Sequence, residues 1–503
     1  SIVSDGEVWI QAVKGIKALT YGDSNIRAAA LRILSSTAVG EKDQELKTDI
    51  SGNMNIISSG NIYLNEKTAA NVENITSTGN DSVVSITADS IANGASANSA
   101  AITAVNLILN ARKGDLGSNA NNLTINLGNG TLNANSAQGS IYLNNLGNDM
   151  KLGLVNAKNR VVLKTVGNLT GTNEQPTITA DSAELISTEG SIGTAQSHLR
   201  TYVHSLKADV KENLYLDNRA NSSSLEITGV KAGNTVLIQA NGIAGAAAEG
   251  EDDVKAGKIY LDAEEGNIGT EDRALKVNGR LENATAGELL YVAAAALNAG
   301  FLQADSVKAT SDGDMIIGTI EAAETELISG TDMIADAIKS DKVKAEAAGN
   351  MTVGELLTDD AEMKAGDDMD ITTSGSLKSA VLEAENIKLT ADGDLGTEEN
   401  ALQLTAKASV TAKAAGLVNI HETNTEDGQT TISAEGVNDV TVKTERDTEV
   451  VKAAGSNVKV DARGSLKAGN MTTGRNGTLD ITAKDDIVID NEEGNFGKLV
   501  SEN

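Results

Sequence analysis

The sequence lacks cysteine and has very little proline or aromatic character. Its 503 residues include no Cys, one Pro (Pro176), one Trp (Trp9) and two Phe. The absence of cysteine excludes a disulfide framework and any thiolate metal site. Compact cores draw much of their buried area from aromatic side chains, yet here 40% of the residues are hydrophobic and only 2% are aromatic. This balance indicates a narrow core of Ala, Val, Ile, Leu and Met.

The sequence also lacks long apolar runs and any excess of positive charge. No stretch of 18 consecutive apolar residues occurs, so no helix is predicted to span a membrane. The net charge of −30 repels nucleic-acid phosphates and anionic membrane surfaces, so we expect neither nucleic-acid binding nor membrane insertion. We interpret the carboxylates as keeping a strand-rich surface soluble and apart from its neighbours.

A glycine motif recurs along the chain and predicts corners between strands. It reads Gly-x-(Leu/Ile/Phe)-Gly, and its five copies start at Gly114, Gly190, Gly266, Gly393 and Gly494. A leucine follows six residues after the second glycine in four of these copies: Leu123, Leu199, Leu275 and Leu402. Alternating apolar residues flank most copies, and strand, glycine corner and strand are the units of a β-coil.

A second repeat fixes the length of one coil. Met315, Met333, Met351 and Met369 are 18 residues apart, and apolar residues two positions later keep the same phase. The same step separates Val440 and Val442 from Val458 and Val460. Residues one coil apart stack at the strand spacing, which predicts aliphatic columns inside the coil.

The predicted fold is therefore an all-β parallel β-helix, or β-solenoid, with coils of about 18–22 residues. We expect one continuous solenoid over residues 1–503, with about 26 coils and a length on the order of 120 Å. Two stretches, 24–34 and 284–297, are less regular and fit either a helix or a decorated coil, the first favouring coil. Residues 245–253 are small and acidic and predict a surface loop.

The corner followed by a strand, as in residues 269–277 (GTEDRALKV), resembles the repeats of filamentous-haemagglutinin-like adhesins. The resemblance extends over roughly residues 50–503. That family often has a proline before the downstream leucine, whereas Asn122, His198, Ala274 and Ala401 stand there in this chain. The resemblance is therefore to the architecture more than to a close relative, and the amino-terminal secretion domain typical of such adhesins is not recognisable.

The resemblance implies a right-handed parallel β-helix that is secreted through an outer-membrane pore by a two-partner or related type V route. It implies an extracellular location at a bacterial cell surface and a role in attachment, biofilm or surface fibres. A receptor or glycan would then be bound through loops or through regions outside this sequence. No binding residue is carried over from the family.

Few residues suggest chemistry. The three histidines are His198, His204 and His421, and we interpret them as surface residues because Ser and Asp are too common here for a nearby triad to be informative. Clustered carboxylates at Asp312, Asp314, Asp367, Asp368, Asp370, Asp392 and Asp394 are interpreted as structural. The two Asp-Gly-Asp turns leave a weak possibility of Ca²⁺ binding. We assign no catalytic, cofactor-binding or metal-binding residue, and expect no enzyme.

Three functions remain open at this point. The first is a structural or adhesive shaft segment of a long secreted surface protein. The second is a self-assembling filament subunit, because neither Ile2–Ile10 nor Asp486–Phe496 resembles a cap. The third is a polysaccharide-active β-helix enzyme, for which the sequence offers no aromatic platform. The chain begins at Ser1 without an initiator Met or signal peptide, so we take it as a processed product or an excised segment.

Overall fold

The computed structural model describes residues 1–18, 23–172, 175–263, 265–489 and 499–501. These residues form β-strands and turns, with no helix among them. The named strands pair in parallel, and the chain forms a β-solenoid of about 23 turns. The all-β solenoid prediction is thus confirmed. The last copy of the corner motif, Gly494–Gly497, lies outside the described residues.

The chain divides into two compact units. The first unit is Ser1–Asn267. Its strands are β1 (Ile2–Val3), β2 (Glu7–Ala12), β3 (Ile26–Ala28), β4 (Ala30–Ser35), β5 (Leu46–Ile50), β6 (Asn53–Ser58), β7 (Ile62–Glu66), β8 (Ala69–Ser77), β9 (Val83–Ala88), β10 (Ser90–Asn93), β11 (Ile102–Ala104), β12 (Asn106–Ala111), β13 (Leu123–Leu127), β14 (Leu132–Ser136), β15 (Ile141–Asn145), β16 (Met150–Ala157), β17 (Arg160–Thr165), β18 (Leu169–Gly171), β19 (Ile178–Thr179), β20 (Ser182–Ser187), β21 (Leu199–Tyr202), β22 (Ser205–Val210), β23 (Asn213–Asp217), β24 (Leu225–Ala232), β25 (Thr235–Gln239), β26 (Ile243–Gly245) and β27 (Val254–Ala263).

The second unit is Ile268–Asn503. Its strands are β28 (Leu275–Ala286), β29 (Leu289–Ala294), β30 (Leu297–Gln303), β31 (Ser306–Ser311), β32 (Met315–Ser329), β33 (Met333–Ala347), β34 (Met351–Leu357), β35 (Asp360–Ala365), β36 (Asp368–Thr373), β37 (Ala380–Ala391), β38 (Leu402–Ala414), β39 (Val418–Glu422), β40 (Thr430–Gly436), β41 (Val440–Thr444), β42 (Thr448–Gly455), β43 (Val458–Ala462), β44 (Leu466–Thr473), β45 (Leu479–Ala483), β46 (Ile487–Ile489) and β47 (Leu499–Ser501). That the solenoid continues unbroken through residues 1–503 stays a prediction.

The methionine column lies where the 18-residue spacing predicts it. Met315 pairs with Met333, Met333 with Met351, and Met351 with Met369. All four side chains are buried. The next apolar position keeps the same register, and the pairs of Val440 with Val458 and Val442 with Val460 also form. Side chains alternate between the interior and solvent along each strand, so a fixed step places like residues one above another inside the coil.

Coil length varies more than the sequence predicts. Leu199 pairs with Leu216, 17 positions on, whereas Leu107 pairs with Leu132, 25 positions on. The chain therefore makes about 23 turns and not the expected 26. The additional residues lie in corners and loops, which can lengthen without disturbing the stacked strands because loop closure becomes only slowly more costly with length.

The backbone conformation and the closeness of the next coil both require glycine at the second glycine position of the corner motif. Gly117, Gly193, Gly269 and Gly396 have φ angles of 72°, 68°, 77° and 79°. A Cβ atom at any of them would lie 2.2–2.5 Å from a backbone carbonyl oxygen of the next coil. Gly40 has the same geometry (φ 69°) and is also followed by a leucine six residues later, Leu46. It is a further corner that the strict motif missed, since Thr37 replaces the first glycine and Val39 stands in place of Leu, Ile or Phe.

Tyrosine marks the strand that lies next to these corners. The carbonyl that approaches the corner glycine belongs to Tyr63, Tyr142, Tyr215 or Tyr291 in four corners, and to Asn419 in the fifth. Each tyrosine side chain points outward and is half-buried. Four of the seven tyrosines of the sequence thus occupy one equivalent position beside a corner.

Buried polar side chains cap backbone groups inside the coil. Asn145 accepts a hydrogen bond from the Leu127 N–H (3.0 Å), and Asn218 accepts one from the Val203 N–H (3.0 Å). Glu422 occupies the equivalent position, four residues after the strand residue that pairs with the corner. Burial raises the pKa of the Glu422 carboxyl, against the opposing effects of the Asn424 N–H bond and the Arg446 charge. Such partners are needed because an unpaired buried N–H is costly.

The stretches that the sequence left undecided contain regular strands. Residues 24–34 hold β3 and most of β4, and residues 284–297 hold the end of β28, β29 and the first residue of β30. Their residues pair with adjacent coils, as Ala293 does with Thr310. The loop predicted over 245–253 begins one residue later, because Gly245 ends β26, and residues 246–253 form no strand. The Asp253 carboxylate is not on the surface: it is buried and accepts a hydrogen bond from the Ala247 N–H (2.9 Å).

We predict that Met333→Asp destabilises the fold strongly, because the new carboxylate would be buried in the methionine column without a partner. The expected loss is about 3 kcal/mol of unfolding free energy, measured by urea denaturation. Ile334→Asp is the matched control: Ile334 is the next residue, points outward and is 43% exposed. Its loss should stay within about 0.5 kcal/mol. Equal losses for the two variants would show that the register is wrong.

We predict that Gly117→Ala lowers the unfolding free energy by about 2–4 kcal/mol, because it combines an unfavourable φ with a clash against the Tyr142 carbonyl. Gly250→Ala separates the two effects. Gly250 also has a positive φ of 83°, but no atom lies within 4 Å of the added Cβ. Its loss should be about 1 kcal/mol. If thermal and urea melts show the same loss of unfolding free energy for both variants, the close contact between Gly117 and the Tyr142 carbonyl does not limit which residue can stand at the corner.

Candidate functional site

A polar cleft lies in the first unit, beside the Gly193 corner. Its volume is about 450 Å³, within the range of small-molecule sites. The lining residues are Gly171, Thr172, Ala195, Gln196, Ser197, His198, Arg200, Asp217, Arg219 and Gln239. Polar side chains dominate this list, so the cleft is suited to a ligand that forms many hydrogen bonds.

The Gly193 corner builds one wall of the cleft. Its positive φ turns the chain into residues 194–197, where the Ser197 N–H donates to the Thr194 hydroxyl (3.0 Å) and to the Thr194 carbonyl (3.1 Å). These two bonds close a tight turn without a regular strand. The turn ends at His198, immediately before β21, so the imidazole is held at the mouth of the cleft.

The parallel register aligns the floor of the cleft. Arg200 pairs with Asp217, Asp217 with Gln239, and Gln239 with Asp262. The strand residues before them, Leu199, Leu216, Ile238 and Leu261, are all buried. Since side chains alternate along a strand, the four polar side chains project outward as one column over four coils.

A chain of hydrogen bonds fixes the imidazole of His198. The His198 Nδ1 lies 2.9 Å from the Gln239 Oε1, and the Gln239 Nε2 donates to the Asp262 Oδ2 (2.9 Å). The ring also stacks on Tyr215, with centroids 6.1 Å apart and planes 15° apart. The Asp262 carboxylate only accepts, so it orients the glutamine amide, and the glutamine carbonyl in turn places the proton of His198 on Nδ1.

An arginine–aspartate pair also lines the cleft. Arg219 donates to Asp217 through Nε (3.0 Å) and Nη2 (3.1 Å), a bidentate geometry. Burial raises the pKa of the Asp217 carboxyl, but the hydrogen bonds from Arg219 and the charges of Arg219 and Arg200 outweigh it, so the pKa is lowered overall. Asp217 therefore stays an acceptor at neutral pH.

His198 and His204, which lie six residues apart in the sequence, have different surroundings in the structure. His198 lies in the cleft, whereas His204 contacts Asp181 (3.3 Å) and the edge of Tyr202 and does not line the cleft. Sequence reasoning missed Arg200, Asp217, Arg219 and Gln239, because only the coil register brings them to His198. A signal was available: residues 214–217 (LYLD) and 259–262 (IYLD) repeat one pattern of apolar, Tyr, Leu and Asp.

His421 belongs to a second polar cluster, in the second unit. Its Nε2 lies 2.6 Å from the Glu445 Oε1, and Arg463 Nη1 lies 2.7 Å from the Glu445 Oε2. Burial by itself would raise the pKa of the Glu445 carboxyl. The hydrogen bond from His421 and the charges of Arg463, His421 and Lys443 have the larger effect, so this pKa is lowered. The cluster holds neighbouring coils together by ion pairs.

Three of the carboxylates that the sequence pattern singled out bond to groups of the next coil. Asp394 Oδ1 accepts from the Leu417 N–H of the next coil (2.8 Å), and Asp370 pairs with Lys388. Asp314 accepts from the Thr331 hydroxyl. Within the described ranges, no group of three or more His, Cys, Asp or Glu side chains could hold a metal ion.

Comparisons with known proteins assign no family. No protein-family model, curated protein or solved structure matches the chain. In the part of the chain that the structure describes, no helix is long and apolar enough to cross a membrane. The cleft must therefore be interpreted from its own chemistry.

We predict that Glu445→Gln lowers the unfolding free energy at pH 7 by about 1 kcal/mol, because it removes charge-assisted hydrogen bonds. The pKa of Glu445 is lowered in the folded state. Its stabilisation is therefore present above the ordinary carboxyl pKa and is lost as the pH falls through the lowered value. The difference between parent and variant should shrink steadily between about pH 5 and pH 3 in urea melts.

Glu435→Gln is the control for this pH series. Glu435 forms a more exposed pair with Lys452 (2.7 Å), and exposed pairs contribute little. The unfolding free energy of this control should differ from that of the parent by at most about 0.5 kcal/mol throughout the pH series. A difference for Glu445→Gln that does not change with pH would show that its ionisation is not coupled to folding.

Proposed function

We propose that this chain is a structural and adhesive shaft segment of a long secreted bacterial surface protein, and that it is not an enzyme. Its function is reach and stiffness, and it supports attachment or biofilm and fibre formation. The observation that carries the proposal is the repeated in-register stacking of equivalent residues. One such column runs through Leu297, Met315, Met333, Met351, Met369 and Ile387.

Stacking of this kind suits a shaft because each coil contacts its neighbours and length grows by adding coils. Each coil that contributes to an aliphatic column has a narrow packed interior. Every such coil is therefore held rigidly against its neighbours, and no large globular core is needed. The same column also explains the low aromatic content, since a narrow coil has no room for large rings. These features support a mechanical role over catalysis at a single cleft.

The outer surface supports the same proposal. In the second unit, outward charges alternate between coils, as in the pairs of Lys308 with Glu326 (3.0 Å) and Lys364 with Glu383 (2.9 Å). Each such pair contributes little alone. Repetition along one face keeps opposite charges stacked within each molecule, while the excess of acid keeps neighbouring molecules apart.

An extracellular position agrees with the absence of cysteine. A chain without disulfides can pass unfolded through an outer-membrane pore, as the resemblance to filamentous-haemagglutinin-like adhesins implies. The proposed partners are that pore during export and a receptor or glycan at the surface of a host cell or bacterium.

Electron microscopy of the purified chain, combined with light scattering for its mass, tests the proposal. We expect separate slender particles with a length on the order of the 120 Å that the sequence predicts. Long filaments of the same width would instead make polymerisation the function, and compact globules would contradict the shaft.

Surface location has its own test. Antibodies raised against the chain should label intact cells of the source organism, and brief protease treatment of those cells should remove the label. Labelling only after lysis would contradict an extracellular shaft. Lysed cells and a cytosolic marker serve as controls.

A further inference from the structure

We propose that Asn129 is a self-modification site, at which the backbone nitrogen of Gly130 attacks the side-chain amide and converts the asparagine to isoaspartate and aspartate. An asparagine followed by glycine is suited to this reaction, because glycine has no side chain to hinder the attack. Five Asn-Gly pairs lie within the described residues, starting at Asn93, Asn129, Asn241, Asn278 and Asn476. The structure distinguishes the pair at Asn129 from the other four.

The reaction needs water and no other reactant. The Gly130 nitrogen forms a bond to the Asn129 Cγ, the bond from Cγ to the side-chain nitrogen breaks, and ammonia leaves with the proton that Gly130 loses. Water then opens the resulting imide ring at either of its two carbonyl carbons. One opening gives aspartate. The other gives isoaspartate, in which the backbone runs through the side-chain carbons.

Two groups must be free before the ring can close. The side-chain amide has to turn so that Cγ faces the following nitrogen, and the glycine N–H has to give up its proton. A hydrogen bond that holds either group must first be broken. Each such bond therefore slows the reaction by roughly five- to tenfold.

Neither group is held at Asn129. The Asn129 side chain is exposed, and among the described residues neither its amide nor the Gly130 N–H forms a hydrogen bond. The next residue is anchored, because the Thr131 N–H donates to the Asn106 Oδ1 (3.1 Å). The reactive pair thus lies unbonded in the corner between β13 and β14, beside a fixed point of the backbone.

Packing against the preceding coil keeps glycine at position 130. A Cβ atom on Gly130 would lie 2.5 Å from the Asn106 Oδ1 and closer still to the Val105 carbonyl oxygen. These distances are shorter than packed atoms can tolerate, so a larger residue cannot stand there without a shift of the backbone. The fold therefore maintains the unhindered neighbour that the reaction at Asn129 requires.

Asn241 provides the clearest contrast. It is also followed by glycine, but its Nδ2 donates to the carbonyls of Arg219 (3.1 Å) and Asn221 (2.8 Å). Both bonds must break before the amide can turn. We therefore expect Asn241 to react more slowly than Asn129 by at least about tenfold.

The other three pairs are also restrained. The Asn93 amide donates to the Asn122 carbonyl (2.8 Å). The N–H that follows Asn476 donates to the Gly474 carbonyl (2.9 Å). Asn278 lies inside strand β28, where side chains stand away from the backbone of the next residue.

The product changes the charge and the length of the corner. A carboxylate replaces a neutral amide, and isoaspartate adds a carbon atom to the backbone between β13 and β14. Because corners can lengthen at little cost to the stacked strands, we expect the modified chain to stay folded and to accumulate the change with age.

The test follows all five pairs in one sample. The whole folded chain is incubated in mildly alkaline buffer and digested, and tandem mass spectrometry measures in each peptide the mass gain from amide to acid. The Asn129 peptide should show this gain at least about tenfold faster than the Asn241 peptide. Isoaspartate at position 129 is detected with an isoaspartate methyltransferase. It reports the ring, because direct hydrolysis of the amide gives aspartate alone.

Two controls separate the fold from the local sequence. In urea the bonds that hold Asn241 are lost, so the two rates should agree within about threefold. Asn129→Gln keeps an exposed amide, but its longer side chain disfavours the ring, and the peptide of this variant should show no gain at that position.

Three results would overturn the inference: equal rates at Asn129 and Asn241 in the folded chain, a difference that persists unchanged in urea, or loss of the Asn129 amide without isoaspartate. The inference does not depend on the shaft, and its failure would leave particle length and surface labelling unaffected.

Discussion

The fold depends on the close backbone contact between successive coils at the glycine corners. At Gly193, a side chain would collide with the Tyr215 carbonyl, and the φ of 68° is one that side-chain-bearing residues seldom adopt. The apolar residue before this glycine, Ile192, bridges the coils on either side, Leu169 and Leu214. The corner thus sets both the turn of one coil and its distance from the next. The stacked positions on either side of each such corner follow from that spacing.

Because backbone pairing and the buried side chains fix the stacking, the outward positions are free to carry other chemistry. In the second unit they carry alternating charges, such as Lys308 above Glu326. Beside the Gly193 corner they carry Arg200, Asp217, Gln239 and Asp262. Both sets stand on the same kind of scaffold, so the chemistry of the outer surface can differ from coil to coil without a change of fold.

One position in the interior of the coil is polar and bonds to the backbone. Asn145, Asn218 and Glu422 replace aliphatic residues at one equivalent position and satisfy backbone groups where strands end. The sequence pattern did not reveal this position, because a buried Asn and a surface Asn look alike in one sequence. Only the hydrogen-bond partner, such as the Leu127 N–H 18 residues upstream, distinguishes the two.

The sequence alone determined the fold class, four corners within the described residues and the methionine column from Met315 to Met369. These are predictable because period and glycine position are local properties that repeat. It missed the Gly40 corner, overestimated the number of coils, and left His198 as an ordinary surface histidine. The tertiary structure decided the cleft, since Gln239 lies 41 residues from His198 and meets it only after two coils have stacked. Coil lengths between these residues vary with the corners, so no fixed period in the sequence could place the two side chains together.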